Sequence, residues 1–168
     1  MEPMKENEIN EGAAGFLREN HRRINEIFDA FKRTKDGSTR LKLVQKALVE
    51  LTTHLMIEEE LFYPAARDQL EEDELLDDAA EELHVAKLLI AELKKMKRSQ
   101  PRYDAKFRVL TGIVRCHFER EEGELLPLLE QSGFDLETLG QEMIDRGAQF
   151  TTMYDRRQGQ GDHRNADR

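Results

Sequence analysis

The stretch "HLMIEEELFYP", residues 54–64, places a histidine and a glutamate on the apolar side of a predicted helix. Leu51, His54, Glu58 and Phe62 follow one another at steps of three or four residues, so they share one helical face. Imidazole and carboxylate groups are costly to remove from water, and a packed core tolerates them only when they have partners. This stretch therefore indicates a helical core that contains polar groups with a function.

The same pattern recurs later in the chain as "HFEREEGELLP", residues 117–127. The two stretches align without gaps at an offset of 63 residues, so that His117 matches His54 and Glu121 matches Glu58. Both stretches end in proline. Internal similarity of this kind indicates two similar helical hairpins in one chain.

A second pair of histidines fits the same repeat. His21 precedes His54 by 33 residues, and His84 precedes His117 by 33 residues. Each interrupts a stripe of apolar residues at helical spacing, and these stripes read Leu17, His21, Ile24, Phe28 and Ala80, His84, Leu88, Ala91. The repeat therefore predicts a histidine on the buried face of each of four helices.

Hydrophobic periodicity and turn residues divide the chain into four long helices and a shorter one. They are predicted at about 13–33, 39–68, 72–98, 104–129 and 136–149, with a kink or local break near Pro64. Short connections favour antiparallel neighbours, so we expect an all-α, up-down-up-down four-helix bundle with a short fifth C-terminal helix. The domain is expected to cover residues 12–150, followed by a polar, Gly-rich and disordered tail at 151–168 that includes His163.

Composition limits the classes of protein to consider. The formal charge of -9, with acidic and basic residues mixed along the chain, argues against a nucleic-acid or membrane partner. The segment "MEPMKENEIN", residues 1–10, lacks the apolar core of a signal peptide, and a single cysteine excludes an internal disulfide. We therefore expect a cytoplasmic protein.

The six polar groups are also predicted to lie at matching heights. With a rise of about 1.5 Å per residue, His21 and His54 both lie roughly 18 to 21 Å from the connection between the first two helices. The other antiparallel neighbours match in the same way. Four imidazoles and two carboxylates suit iron, zinc or manganese, and six ligands favour two ions with the carboxylates as bridges. The predicted metal ligands are His21, His54, Glu58, His84, His117 and Glu121.

The pattern H…HxxxE…H…HxxxE over about residues 12–150 resembles the hemerythrin-like HHE cation-binding domain family. The resemblance implies a four-helix bundle that holds two non-heme iron ions, bridged by an oxo or hydroxo group. It also implies that the six predicted residues are the ligands, with Glu58 and Glu121 bridging. Zinc or manganese could take the place of iron on purification.

Two departures from the oxygen-carrying hemerythrins bear on function. Those proteins have a further histidine where this chain has Leu88, and an HxxxxD motif where this chain has Glu122. The four-His, two-Glu set is more similar to the branch with iron-centre repair proteins and iron-sensing domains. The repair proteins also carry a cysteine-bearing N-terminal segment, and the residues before position 12 of this chain contain no cysteine. The resemblance therefore does not imply repair activity for this protein.

Three functions are consistent with these features of the sequence. The first is a di-iron protein that binds or senses oxygen, nitric oxide, peroxide or iron. The second is a di-iron oxidase or peroxidase, which is less favoured because the sequence shows no additional acid–base residue. The third is a metal-free helical interaction module whose histidines only pack. Glu59 and Glu122, one residue beyond the predicted ligands, are expected to face solvent.

Overall fold

The computed structural model describes the backbone of residues 12–162 and the side chains of residues 12–157. Seven α-helices and two π-helical turns make up the described chain. The helices are α1 (Gly12–Arg33), α2 (Gly37–Ile57), α3 (Tyr63–Gln69), α4 (Asp73–Lys95), α5 (Tyr103–Arg120), α6 (Leu126–Gln131) and α7 (Leu136–Asp162). The π turns are π1 (Glu58–Phe62) and π2 (Glu121–Leu125).

The helices form the predicted four-helix bundle. α2, π1 and α3 together make the second long helix, and α5, π2 and α6 together make the fourth. α1 packs against α2 and α5, while α4 packs against α5 and α2. α7 lies along α1 and α2 on the outside of this ring. The all-α class and the bundle are confirmed.

The connections follow the turn residues of the sequence. Asp36 caps α2, because its carboxylate accepts a hydrogen bond from the Thr39 backbone N–H at 2.7 Å. Arg102 takes a left-handed conformation, with φ of 68°, just before α5. The first three connections join helices that pack against each other, whereas the last carries the chain from α6 to α7, which packs on α1 and α2. None of the four is a long loop.

The two π turns occupy equivalent positions in the repeat. The Tyr63 N–H bonds to the carbonyl of Glu58, and the Leu126 N–H bonds to the carbonyl of Glu121, five residues earlier in each case. A proline follows each turn, at a place where an uninterrupted α-helix would need a backbone donor. The break expected near Pro64 is thus a π turn, and each π turn begins at a glutamate of the HxxxE motif.

The C-terminal helix differs from its prediction. α7 begins at Leu136 as expected, but it continues to Asp162 rather than ending near Gln149. Residue 150 therefore lies inside a helix, and the boundary between the domain and its tail stays a prediction. Leu139 and Met143 pack into the core, while Ile144 is 46% exposed. His163 lies outside the described residues.

α7 approaches α1 so closely that the contact requires glycine. A Cβ atom built on Gly140 would lie 2.5 Å from the carbonyl carbon of Gly12 and 2.6 Å from the backbone nitrogen of Ala13. Backbone atoms cannot move aside as a flexible side chain can. The packing of α7 on the bundle thus depends on the missing side chain at Gly140.

We expect Gly140→Ala to lower the free energy of unfolding by about 1 to 3 kcal/mol, because the added methyl forces the two helices apart. Urea unfolding followed by circular dichroism measures this change. Gly112→Ala is the matched control: Gly112 lies in α5, and a Cβ atom there meets no described atom within 4 Å. The control should raise stability by up to about 1 kcal/mol. Equal stability of Gly140→Ala and the unmodified protein would contradict the close packing.

Candidate metal centre

Five of the six predicted ligands lie in the middle of the bundle. His21 comes from α1, His54 from α2, Glu58 from π1, His117 from α5 and Glu121 from π2. Their relative exposures are between 0% and 3%. Charged groups are rarely buried to this degree unless they are paired or bind a metal.

Four of these residues form one compact group. His21, His54, Glu58 and Glu121 each offer a ligand atom, and these four atoms lie within 4.8 Å of one another. His54 Nε2 is 2.8 Å from Glu58 Oε1, and His21 Nε2 is 3.1 Å from Glu121 Oε2. The group therefore joins one HxxxE pair from α2 and π1 to residues from two other long helices.

His117 lies at the edge of this group. Its Nε2 atom is 3.6 Å from Glu58 Oε2 and 3.9 Å from Glu121 Oε2. The two oxygens of Glu58 thus face different histidines, with Oε1 toward His54 and Oε2 toward His117. A carboxylate placed between two imidazoles in this way is suited to bridging two ions.

Short distances in this cluster are not accompanied by hydrogen bonds. Nine buried side-chain atoms in the described part of the chain lack a hydrogen-bond partner, and six of them belong to the cluster: His21 Nε2, His54 Nδ1, His54 Nε2, Glu58 Oε1, Glu58 Oε2 and Glu121 Oε2. Ring nitrogens and carboxylate oxygens lie close together, but they do not have the alignment of donors and acceptors. Leaving such atoms unsatisfied costs several kcal/mol. A cation among them would satisfy them, so the residues present fit a metal.

Two of the three imidazoles are held in place by carboxylates that lie outside the cluster. His21 Nδ1 lies 2.6 Å from Glu122 Oε1, and His117 Nδ1 lies 2.9 Å from Glu82 Oε2. Each contact occupies the outer ring nitrogen, so Nε2 is left to face the cluster. Metal-binding histidines commonly have a carboxylate in this position, because it fixes the ring and makes it a better ligand.

Aromatic side chains close the cluster on two sides. Phe118 stacks on His21 with ring centroids 3.8 Å apart, and it meets His54 edge-on at 5.2 Å. Tyr63 donates a hydrogen bond from its hydroxyl to Glu121 Oε1 at 2.8 Å. Phe118 therefore excludes water, while Tyr63 provides the cluster with a buried proton donor.

The cluster shifts the pKa values of its own members. Burial by itself lowers the pKa of His21, but the neighbouring carboxylates of Glu121 and Glu122 outweigh burial and raise that pKa to about 9. Burial by itself raises the pKa of Glu58, but attraction to His54 and His117 lowers it well below its ordinary value. Without a metal, the cluster is thus held together by protons on imidazoles and by negative carboxylates.

Tyr63 remains neutral. Burial, followed by the negative charges of Glu121 and Glu58, raises the pKa of its hydroxyl well above the ordinary value. The hydroxyl therefore stays a donor throughout the physiological range.

His84 requires a correction, because the structure does not bring it to the cluster. Its side chain is exposed, whereas the preceding residue, Leu83, is 1% exposed and lies in the core. The predicted stripe through His84 contains Leu88, which is 53% exposed. The stripe that α4 buries is richer in large apolar residues and comprises Leu76, Ala79, Leu83, Ala86, Ile90 and Leu93. His84 directly follows Leu83, and neighbouring residues on a helix point about 100° apart. Because Leu83 faces the core, His84 faces away from the cluster.

Sequence reasoning missed three residues that contact the cluster. Glu122 was expected to face solvent, yet it holds His21 while its side chain is 41% exposed. Glu82 and Tyr63 were not singled out. The repeat held a signal for Glu122, because a second glutamate follows the HxxxE glutamate in both halves. No comparable pattern in the sequence points to Glu82 or Tyr63.

The fold and the cluster define a class of protein: a four-helix bundle with a buried histidine–carboxylate site for metal ions. The sequence model of the hemerythrin HHE cation-binding domain family matches residues 13–129, and the chain belongs to that family. The resemblance of the sequence to the family is thereby confirmed.

Similar proteins support the fold. The crystal structure of a hemerythrin HHE cation-binding domain-containing protein from Mycobacterium kansasii aligns with a TM-score of 0.70 at 24% identity, covering 87% of this chain and 92% of that one. A protein of Nostoc sp. (strain PCC 7120 / SAG 25.82 / UTEX 2576) named DNA nickase is 27% identical over 119 residues. This match covers 69% of the present chain, which spans about a third (33%) of that relative's length.

Replacement of a buried histidine and of the exposed one tests the position of the site. We expect His54→Ala to weaken zinc or ferrous iron binding at least about 10-fold, because it removes a ligand from the cluster. His84→Ala is the matched control and should leave affinity within about 2-fold, since its ring lies outside the cluster. Metal content after equilibrium dialysis, with circular dichroism to verify folding, measures both. A large loss in His84→Ala would contradict the outward position of α4's histidine.

Metal binding should also release protons. With a pKa of about 9, His21 carries a proton at pH 7 and must lose it to become a ligand. Zinc affinity should therefore rise between pH 6 and pH 8, about 10-fold per pH unit for each proton displaced. Calorimetry in two buffers of different ionisation enthalpy counts the protons. Affinity that does not change with pH would show that His21 is not a ligand.

Proposed function

We propose that this protein is a non-heme di-iron protein that binds or senses oxygen, nitric oxide, peroxide or iron in the cytoplasm. The observation that carries the proposal is the set of buried ring nitrogens and carboxylate oxygens without hydrogen-bond partners in the described chain. Such atoms are suited to a cation of borderline hardness, which includes iron.

Two carboxylates support a count of two ions. Glu58 faces His54 with one oxygen and His117 with the other, and Glu121 Oε2 faces both His21 and His117. Each carboxylate therefore lies between imidazoles from different helices. Five protein ligands shared between two ions would leave coordination positions for small exchangeable ligands.

The chain's own residues provide the surroundings that such a ligand needs. Iron, when bound, supplies redox chemistry and a position for a diatomic molecule or peroxide. Phe118 and the apolar core keep bulk water away from that position. Glu82 and Glu122 hold two imidazoles in place, and Tyr63 presents an O–H group next to Glu121.

A narrow crevice between α4 and the fourth long helix leads toward the cluster. It is lined by Tyr63, His117 and Glu121 on the inside and by Glu82 and Arg120 on the outside. Arg120 forms an ion pair with Glu82 at 2.7 Å. Its volume of about 10 Å³ holds about one water-sized molecule, so it suits a small ligand better than a large substrate.

Tyr63 gives one observation in favour of an oxidase or peroxidase. Its hydroxyl lies 2.8 Å from Glu121 Oε1 and 3.4 Å from His117 Nε2, so a proton donor reaches the site. Proton delivery to a bound oxygen species is a requirement of such chemistry. The sensing proposal is nevertheless preferred, because the crevice leaves little space for an organic substrate.

None of the helices in residues 12–162 has both the length and the apolar content to span a membrane. A cytoplasmic location stays part of the proposal. It does not follow from the fold.

The experiment that tests the function is anaerobic loading with ferrous iron, followed by absorption spectra before oxygen, after oxygen and after its removal. We expect about two irons per chain, because two carboxylates are available as bridges. New bands that disappear on deoxygenation would indicate reversible oxygen binding, and bands that persist would indicate a one-way redox centre used for sensing or peroxide chemistry.

Two controls make the outcome specific. His54→Ala should abolish the spectral change, whereas His84→Ala should retain it. Iron content well below two per chain would contradict the di-iron proposal.

The alternative functions predict different results. Substrate turnover that Tyr63→Phe slows, with iron content unchanged, would favour the oxidase or peroxidase over the sensor. Unchanged helical cooperativity after loss of all five buried polar groups would favour the metal-free module.

A further inference from the structure

Half of the chain's positive charge lies in two short segments. Residues 32–46 and 94–108 contain thirteen of the 26 Lys and Arg residues but only two of the 35 Asp and Glu residues. These segments carry a formal excess of eleven positive charges, although the whole chain carries -9. The expectation that nucleic acid is not a partner rested on the mixing of charges over the whole chain, and it does not describe these segments.

The fold brings the two segments together at one end of the bundle. One contains the connection between α1 and α2, and the other contains the connection between α4 and α5. Arg40 Nη1 lies 2.9 Å from Asp104 Oδ2, and Arg98 Nε donates to the carbonyl of Gly37 at 3.1 Å. We refer to residues 32–46 and 94–108 together as the basic end.

The two acidic residues of the basic end are already engaged. Asp36 accepts hydrogen bonds from Thr39 at the start of α2. Asp104 is shared by Arg40 and Arg98, at 2.9 Å and 3.6 Å. Neither carboxylate neutralises the cations farther out on this surface.

Most of the cations are available to a ligand. Ten of them are exposed and form no ion pair with any described carboxylate: Lys32, Arg33, Lys35, Lys42, Lys46, Lys94, Lys95, Lys97, Arg102 and Arg108. Of these, Lys94 donates a hydrogen bond to the Thr52 hydroxyl. Elsewhere in the described chain exposed cations are commonly paired, as Arg67 is with Asp77 and Lys87 with Glu59. The basic end therefore differs from the rest of the surface both in net charge and in pairing.

We propose that the basic end binds the phosphodiester backbone of nucleic acid. A cluster of unpaired Lys and Arg gains affinity for such a polymer because each neutralised phosphate releases condensed counterions. Four helices packed about 8 to 10 Å apart give an end about 20 Å wide, which spans about six base pairs along a duplex. The contact is to the backbone, so it carries no preference for base sequence.

Apolar partners fit this surface less well. Of the exposed large hydrophobic residues of the described chain, Val85, Leu88, Ile144 and Met153 lie outside the basic end, and Val109 borders it, where it lines a cavity together with Lys95, Arg102 and Lys106. Protein interfaces and membrane-bound helices usually include apolar anchors at their centre. The remaining surface is strongly acidic, so it repels a polyanion and confines binding to this end.

Charge removal at the basic end tests the proposal. The variant Lys32→Gln, Arg33→Gln, Lys95→Gln, Lys97→Gln removes four cations, two from each segment. The control Arg22→Gln, Arg67→Gln, Lys87→Gln, Arg146→Gln removes four cations elsewhere, three exposed and one (Arg146) half-buried, and gives the same net charge. The control cations form surface ion pairs, whose loss has little effect on stability. Circular dichroism and metal content should be unchanged in both.

The probe is a fluorescein-labelled DNA duplex of roughly 20 base pairs, with binding followed by fluorescence anisotropy at several salt concentrations. We expect the unmodified protein to bind at low salt and to lose affinity as salt rises. The variant at the basic end should bind at least about 10-fold more weakly, with a salt slope reduced by about 3 to 4. The control should stay within about 2-fold of the unmodified protein.

Three outcomes would overturn the proposal. They are absence of binding at about 50 mM salt, an equal loss of affinity in the control, and binding to phosphatidylserine vesicles without binding to the duplex. The last outcome would assign the surface to an anionic membrane. The metal site lies roughly 18 to 21 Å from this end, so failure of the iron experiments leaves the result interpretable.

Discussion

Three imidazoles and two carboxylates occupy the interior of a helical bundle, where each would be costly to leave without a partner. The apolar stripes of the helices supply the drive to fold, but the same stripes carry these groups into the core. Without a metal, raised pKa values of His21 and His117 and a lowered pKa of Glu58 favour opposite charges that offset one another. Six polar atoms of the cluster nevertheless lack hydrogen-bond partners, and a metal that displaces the protons would satisfy them.

The π turns connect the architecture to the site. Each one begins at a glutamate of an HxxxE pair and ends just before a residue followed by proline. Proline removes a backbone donor and would distort an α-helix, whereas a π turn accommodates it and shifts the position of the side chains around it. Because a π turn begins at the glutamate in both halves of the repeat, Glu58 and Glu121 face each other across the core.

The symmetry of the repeat is not complete, because equivalent residues of the two halves have different partners near the cluster. Glu122 holds His21, but its counterpart Glu59 forms an ion pair with Lys87 at 2.8 Å. Tyr63 reaches Glu121, while the equivalent residue in the second half is Leu126. The first half of the repeat thus supplies a hydroxyl donor that the second half lacks. The surroundings of Glu58 and Glu121 therefore differ, although the two glutamates are equivalent in the repeat.

The sequence by itself determined the fold class, the repeat and five of the buried polar groups, because helical periodicity and equal spacing act locally along the chain. It did not determine the orientation of α4. That depends on which of two competing stripes packs better, and the stripe with Leu83 displaced the one with His84. Only the tertiary structure placed Glu82 and Tyr63 against the cluster and joined two basic segments at one end, since these contacts link residues far apart in the chain. Local pattern fixes what each helix can bury, while packing between helices decides what it does bury.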